Sequence, residues 1–283
     1  METNTTTNQI IKKYDKPLLF YILSIAIPWA LWFLSAYLSH RTPLTGRLEI
    51  LTGITSFAGL LAPFIIALWL ILPDRELRKD LMSRFFNFKG IRREYYLVAL
   101  FLILISILAA QAISLLFGYS PGQFALRGSF TFESALFPVW FLLVAAPALE
   151  EMAWHSYGTD TLRSRFSLFS ASMIFAIFWA FWHFPLSFIK GYYHSNLVES
   201  GFIYTLNFVV SMIPFVLIIN WLYYKTNRKI ILPIIFHVTA GFFNEIFLTH
   251  PMSKVIQTGL LLVFCIYLLA TNRDFFFKQQ ADM

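Results

Sequence analysis

The sequence is short of most things a soluble domain needs. Only 13% of its 283 residues are charged, against about a quarter in ordinary globular proteins. That is too little to cover a water-facing surface, so a soluble globular protein is excluded. Cysteine occurs once, at Cys265, which rules out an intramolecular disulfide and with it a stapled secreted scaffold. Its place in an apolar run points to core packing. Glycine and proline number 12 each, too few for a collagen-like or low-complexity chain, and no internal repeat is present. The first sixteen residues lack the short apolar core and small-residue cleavage site of a secretory signal, so the first span is expected to persist as a helix. Acidic residues are also scarce, 15 against 22 basic ones for a net charge of +7. In a membrane chain such an excess reads first as a topology signal, because inner loops concentrate Lys and Arg. Nucleic acid is not an expected partner.

What the chain has in abundance is apolar bulk. Hydrophobic residues make up 58%, with 32 Phe, and the mean hydropathy is +0.65. Several apolar runs are long enough to cross a hydrocarbon core of ~30 Å. Runs of that length cross as helices, which satisfy their own backbone inside lipid. The expected fold class is therefore all-α, a polytopic integral membrane protein of about eight transmembrane helices, near 18–38, 51–73, 96–118, 135–149, 168–188, 202–224, 230–249 and 254–271. This gives an N-terminal tail over 1–17, one helical membrane domain over 18–271 and a C-terminal tail over 272–283. An even number of spans puts both termini on one side. With the N-terminus inside, the inner segments carry 17 of the 22 basic residues, so both termini are expected in the cytoplasm, in a bacterial cytoplasmic membrane. The segment Asp74 to Tyr96, rich in basic residues and holding Leu81, Met82, Phe85, Phe86 and Phe88, suits a helix on the inner membrane surface or a basic loop that fixes topology. Aromatics at span ends, such as Tyr95, Tyr96, Tyr192, Tyr193, Tyr223 and Tyr224, fit interfacial belts and imply no cofactor.

Ionisable groups inside spans cost ~2.5–3.5 kcal/mol each on insertion scales, so each needs a reason. Glu150, Glu151, His155, His183, His237 and Glu245 are the candidates. Residues four apart share a helix face, which lets Glu151 meet His155, Trp179 meet His183, and His237 share a face with Gly241 and, further on, Asn244. A carboxylate among imidazoles in a water-poor cavity can activate water and stabilise an oxyanion. The same groups, His183, His237 and Glu150, are also of the type that ligates Zn²⁺. A structural hydrogen-bond network or a transporter's proton relay would use them as well. His40, His194 and His250 fall in outer loops and read as surface residues, while Glu245 either pairs with a polar neighbour or faces an aqueous cavity. At ~1.5 Å per residue, Glu150 and His237 reach compatible depths. Counted from Arg165, His183 comes out ~27 Å deep, too far unless the chain first runs along the interface or Pro185 bends the span.

The segments Glu150-Glu151-Met-Ala-Trp154-His155-Ser-Tyr157, Trp179-Ala-Phe-Trp182-His183-Phe-Pro185 and Leu232-Pro233-Ile-Ile-Phe236-His237 resemble, in order and spacing, the motifs of the CAAX prenyl endopeptidase and bacteriocin-processing (Abi) family of intramembrane proteases. Those motifs are Glu-Glu-x-x-x-Arg, aromatic-x-x-x-His and His-x-x-x-Asn/Asp, and the resemblance covers about residues 135–250. It implies an endopeptidase cutting a peptide bond near the cytoplasmic face of a peptide, prenylated or membrane-associated substrate, with the lipid bilayer as its medium. Glu150 would be the general base assisted by His183, His237 would hold the oxyanion, and Glu151 with the Arg position would organise the base. Two positions depart from the pattern: His155 stands for Arg and Gly241 for Asn. Asn244 is the candidate replacement donor if the helix bends or unwinds at Gly241; otherwise Gly241 serves close helix packing. The departures point alternatively to an impaired enzyme or a non-catalytic relative, a membrane scaffold or bacteriocin self-immunity protein. A small transporter is a third class, for which the inverted repeats are missing.

Overall fold

The computed structural model describes residues 9–85, 87–134 and 136–279. Phe86 of the surface segment, Ala135 at the expected start of the fourth span, and the outer ends of both tails lie outside them. Helices dominate: α1 (Pro17–Ser39), α2 (Gly46–Ile71), α3 (Arg75–Phe85), α4 (Arg93–Leu115), α5 (Val139–Ala153), α6 (Thr159–Arg163), α7 (Leu168–Trp182), α8 (Tyr193–Ser200), α9 (Phe202–Lys225), α10 (Ile231–Ile246), α11 (Pro251–Thr271) and α12 (Arg273–Phe277). Among the described residues, six stretches are long and apolar enough to cross a membrane: α1, α2, α4, α7 with its extension to Phe188, α9 and α11. The other two expected spans are shorter helices, 15 residues in α5 and 16 in α10. These two short helices carry the carboxylate pair and His237.

Outward faces are strongly apolar, with Leu18, Leu116, Ile177, Val263 and Ile266 exposed, as lipid contact demands. α1 and α2 pair along their length. Their closest approach needs Gly59, where a Cβ would collide with the Trp32 ring, and the Trp32 indole donates to Ser56 O at 2.9 Å. α4 packs on α10 and α11, α9 on α7 and α11, and α5 lies between α2 and α10. The N-terminal segment is anchored, with Ile11 and Tyr14 fully buried. In α3, Leu77, Leu81 and Arg84 turn into the protein while Met82 is exposed, so its apolar face packs on the bundle.

α5 does not stop at the carboxylates. One π turn, Trp154–Gly158, joins it to α6, carrying the chain thirteen residues beyond Glu150, ~20 Å at helical rise. α7 then climbs back, and Trp179 meets Glu150 directly. The depth mismatch foreseen for His183 disappears because the descending arm is longer than the apolar run suggests. α7 ends at Trp182, and His183 opens a short 3-10 turn, Phe184–Phe188, containing Pro185.

Candidate active site

Glu150 and Glu151 are consecutive in the last turn of α5, so their side chains point ~100° apart and meet different neighbours. Glu150 Oε2 accepts from Trp179 Nε1 at 2.9 Å. Glu150 also lines a cavity of about 320 Å³. Glu151 is fully buried behind it. Its Oε1 lies 2.7 Å from His237 Nδ1, and its Oε2 lies 2.5 Å from His155 Nδ1.

His155 occupies the π turn. Its Nε2 lies 3.1 Å from Asn220 Oδ1, and Asn220 Nδ2 donates to Ser172 Oγ at 3.0 Å. The His155 ring thus sits between the Glu151 carboxylate and the Asn220 amide, at the position where the family pattern has Arg. The π turn is gripped from outside as well. Arg84 Nη1 donates to His155 O at 2.9 Å and Nη2 to Ser156 O at 3.2 Å. Tyr223 OH donates to His155 O at 2.7 Å, and Tyr21 OH to Gly158 O at 2.9 Å. π turns collect at functional sites because they leave backbone groups to be satisfied by other partners.

Arg84 belongs to a buried ionic cluster. It reaches Asp160 at 3.0 Å and Asp80 at 2.9 Å, and Arg228 reaches the same two carboxylates at 2.5 and 2.9 Å. Tyr14 and Tyr224 complete it, donating to Asp80 at 2.6 Å and Asp160 at 3.0 Å. Arg228 sits in the left-handed region at φ 63°, and its N–H closes the end of α9 on Tyr223 O at 2.8 Å. Burial pushes the Asp80 carboxyl up, but Arg84 and Arg228 outweigh it and hold it below its ordinary value.

His183 Nδ1 lies 2.6 Å from Trp179 O. A carbonyl only accepts, so Nδ1 carries the proton and the neutral ring keeps a lone pair at Nε2. The Glu151 carboxylate fixes His237 the same way. In their neutral forms both rings suit orienting water or taking a proton. His237 presents a second N–H only as an imidazolium, the form that pairs fully with Glu151.

Asn244 stands apart from this group. α10 runs as unbroken α-helix through Gly241, so the bend or unwinding foreseen there is absent, and Asn244 remains ~10 Å along the axis from His237. Its amide donates back to Ala240 O at 2.9 Å. Close packing does not explain Gly241 either: a Cβ would meet only Leu143 Cδ2 at 3.7 Å and Leu143 O at 4.0 Å, ordinary contact distances. Glu245 is buried and accepts from Thr131 N and Oγ1.

Two readings of outer-loop histidines change differently. His40 is exposed, and its Nε2 lies 3.1 Å from Phe188 O. His250 caps α11, accepting from Met252 N at 3.1 Å. His194 is a correction: it stacks on His183 with ring centroids 5.0 Å apart and lines the cavity beside Tyr192. Its side chain lies half-buried because α8 folds back under α9, which no local pattern announces. Lys254 is also a cavity residue missed in the sequence.

The cavity wall is drawn from α5 between Leu142 and Glu150, α9 between Tyr204 and Phe215, the N-terminal half of α11, the end of α7 and α10 from His237 to Glu245. In an antiparallel bundle these all lie at one end, opposite the Arg84–Arg228 cluster. Among the described residues, no group of three or more His, Cys, Asp or Glu side chains is placed to share a metal ion. The hydrogen bonds to Trp179 O and Glu151 engage Nδ1 of His183 and of His237 and leave Nε2 of each ring open, as outer partners of metal-ligating histidines also do.

The model for the family described as type II CAAX prenyl endopeptidase Rce1-like matches residues 132–243. The chain is also 36% identical over 269 residues to CAAX prenyl protease 2 of Methanococcus maripaludis, an alignment covering 94% of this chain and 97% of that protein.

Proposed function

Because the chain belongs to the type II CAAX prenyl endopeptidase family, we propose that it is an intramembrane endopeptidase hydrolysing a peptide bond of a prenylated or membrane-associated substrate. The observation that carries this reading is Glu150 itself, a buried carboxylate on a cavity wall with one oxygen tied to the Trp179 indole. In the proposed reaction Glu150 takes a proton as the water oxygen attacks the carbonyl carbon. The C–N bond then breaks and the proton passes to the departing amine. His183 Nε2, a lone-pair acceptor in the neutral ring, orients that water. Glu151, clamped between His155 and His237, positions the base and sets the charge balance behind it.

The face at which the bond is cut follows from orientation. Reporter fusions that fix the orientation of the basic end decide whether the cavity opens near the cytoplasmic face. A non-catalytic scaffold or immunity role is the second reading, favoured by Gly241, which leaves the cavity without the family's amide donor. Purified protein in proteoliposomes, incubated with prenylated CAAX peptides, separates the two. Cleavage that disappears in Glu150→Gln supports the base. Cleavage retained in Glu150→Gln refutes it, and no cleavage of any peptide by the unaltered protein moves the balance to the scaffold.

A further inference from the structure

The cavity holds one fixed positive charge among the described residues, and no carboxylate meets it. Lys254 lies in the first turn of α11 and is half-buried in the cavity wall. Its Nζ donates to the main-chain oxygen of Asn244 at 3.2 Å and stands 6.0 Å from the centre of the Tyr193 ring. No ion pair of Lys254 occurs among the described residues. The acid nearest in sequence on the same wall, Glu245, is committed to Thr131. An ammonium has three donors, and one is used. A half-buried lysine with no ion-pair partner among the described residues is costly without a counter-charge, so an anion is the ligand this position suits.

Its distance from the carboxylate site is informative. Asn244, which holds the ammonium, is seven residues beyond His237 on an unbroken helix, ~10 Å along the axis. An extended peptide advances ~3.3 Å per residue, so about three residues span that gap. Ala240, Gly241 and Leu261 form the wall between the two ends, leaving room for small aliphatic side chains. A CAAX substrate ends in a modified Cys followed by three residues and a free carboxylate, so any bond cut within the motif lies no more than three residues from that terminus.

We propose that Lys254 binds the α-carboxylate at the substrate's C-terminus and thereby measures the distance from the chain end to the bond that is cut. This rests on the endopeptidase reading and adds to it a requirement for a free C-terminus.

The test compares two probe pairs, each as free acid and C-terminal amide: a prenylated CAAX peptide for cleavage, and a dansylated aliphatic tripeptide for equilibrium binding to the protein in detergent. The acid is expected to be favoured at least tenfold in KM and in binding. In Lys254→Met the acid-to-amide ratio should collapse to about one, and in Lys254→Arg it should recover, which also shows that the fold survives substitution. Equal handling of acid and amide by the unaltered protein, or a preference that persists in Lys254→Met, overturns the proposal while leaving hydrolysis standing. Acid-selective binding that depends on Lys254, with no cleavage of either peptide, upholds the carboxylate site and defeats the endopeptidase reading.

Discussion

Gly241→Asn tests the reasoning about the site most sharply, because it restores the one donor the family pattern expects. The position is open: a Cβ there meets nothing closer than Leu143 Cδ2 at 3.7 Å, and the residue lines the cavity one helical turn, ~6 Å, from His237. The added side chain therefore fits without displacing α5. Losing a single oxyanion donor elsewhere costs about 100- to 1,000-fold in turnover, equivalent to roughly 2.7–4 kcal/mol. Not all of that is recoverable here. Pro147 lacks the N–H that would meet Leu143 O within α5, and that carbonyl lies 4.0 Å from the new Cβ. It competes for the same amide, so a gain of at least tenfold in kcat is expected in place of the full factor. Gly241→Ala is the control: replacing Gly in a helix stabilises by ~1 kcal/mol but supplies no donor, so the melting temperature rises and kcat stays put. The assay is cleavage of a labelled prenylated peptide in proteoliposomes, with Asn244→Ala alongside. A rate for Gly241→Asn within twofold of Gly241→Ala would refute the idea that the chain is limited by a missing amide. Loss of cleavage in Asn244→Ala would reinstate Asn244 as the donor despite its distance.

Three other outcomes are expected. His155→Ala strips one partner from a fully buried carboxylate and should cost ~3–5 kcal/mol of stability with loss of turnover, whereas His155→Arg, which restores a cation beside Glu151, should keep both; melting in detergent with the cleavage assay checks this. Asp80 is held below its ordinary value of 3.8 by Arg84 and Arg228 against the effect of burial, so its stabilising contribution is complete above that value and disappears as pH falls through the lower folded one; the melting temperature should drop in that acid range, and the drop should be smaller in Asp80→Asn. Reporters fused after Gln280 and within Asp74–Tyr96 should both report cytoplasm. Reporters at Gly122 should report the outside, and the opposite result would put the cavity at the cytoplasmic end.

The sequence by itself determined the class of the molecule and singled out five ionisable side chains that the structure brings close together. Long apolar runs with little charge leave helices in lipid as the outcome, since an unpaired backbone has no water to turn to, and the bounds of α1, α9 and α11 follow the hydropathy to within a few residues. Glu150, Glu151, His155, His183 and His237 stand out because ionised groups are rare at such positions. Spacing four apart even anticipates the contact between Glu151 and His155. The partners from other helices were not legible. Arg84 and Arg228 count among the basic residues that signal topology, and nothing local distinguishes a lysine or arginine facing phospholipid headgroups from one buried on Asp160. Asp80 and Asp160 sit in polar connections where charge is ordinary. The π turn, the stacking of His194 on His183, and Lys254 in the cavity wall depend on how helices distant in sequence cross. Tertiary packing alone decides those: periodicity tells which face of a helix is apolar, but which other helix covers that face, and at what height, is set by side chains far apart in the chain, such as Arg228 and Asp80, 148 residues apart.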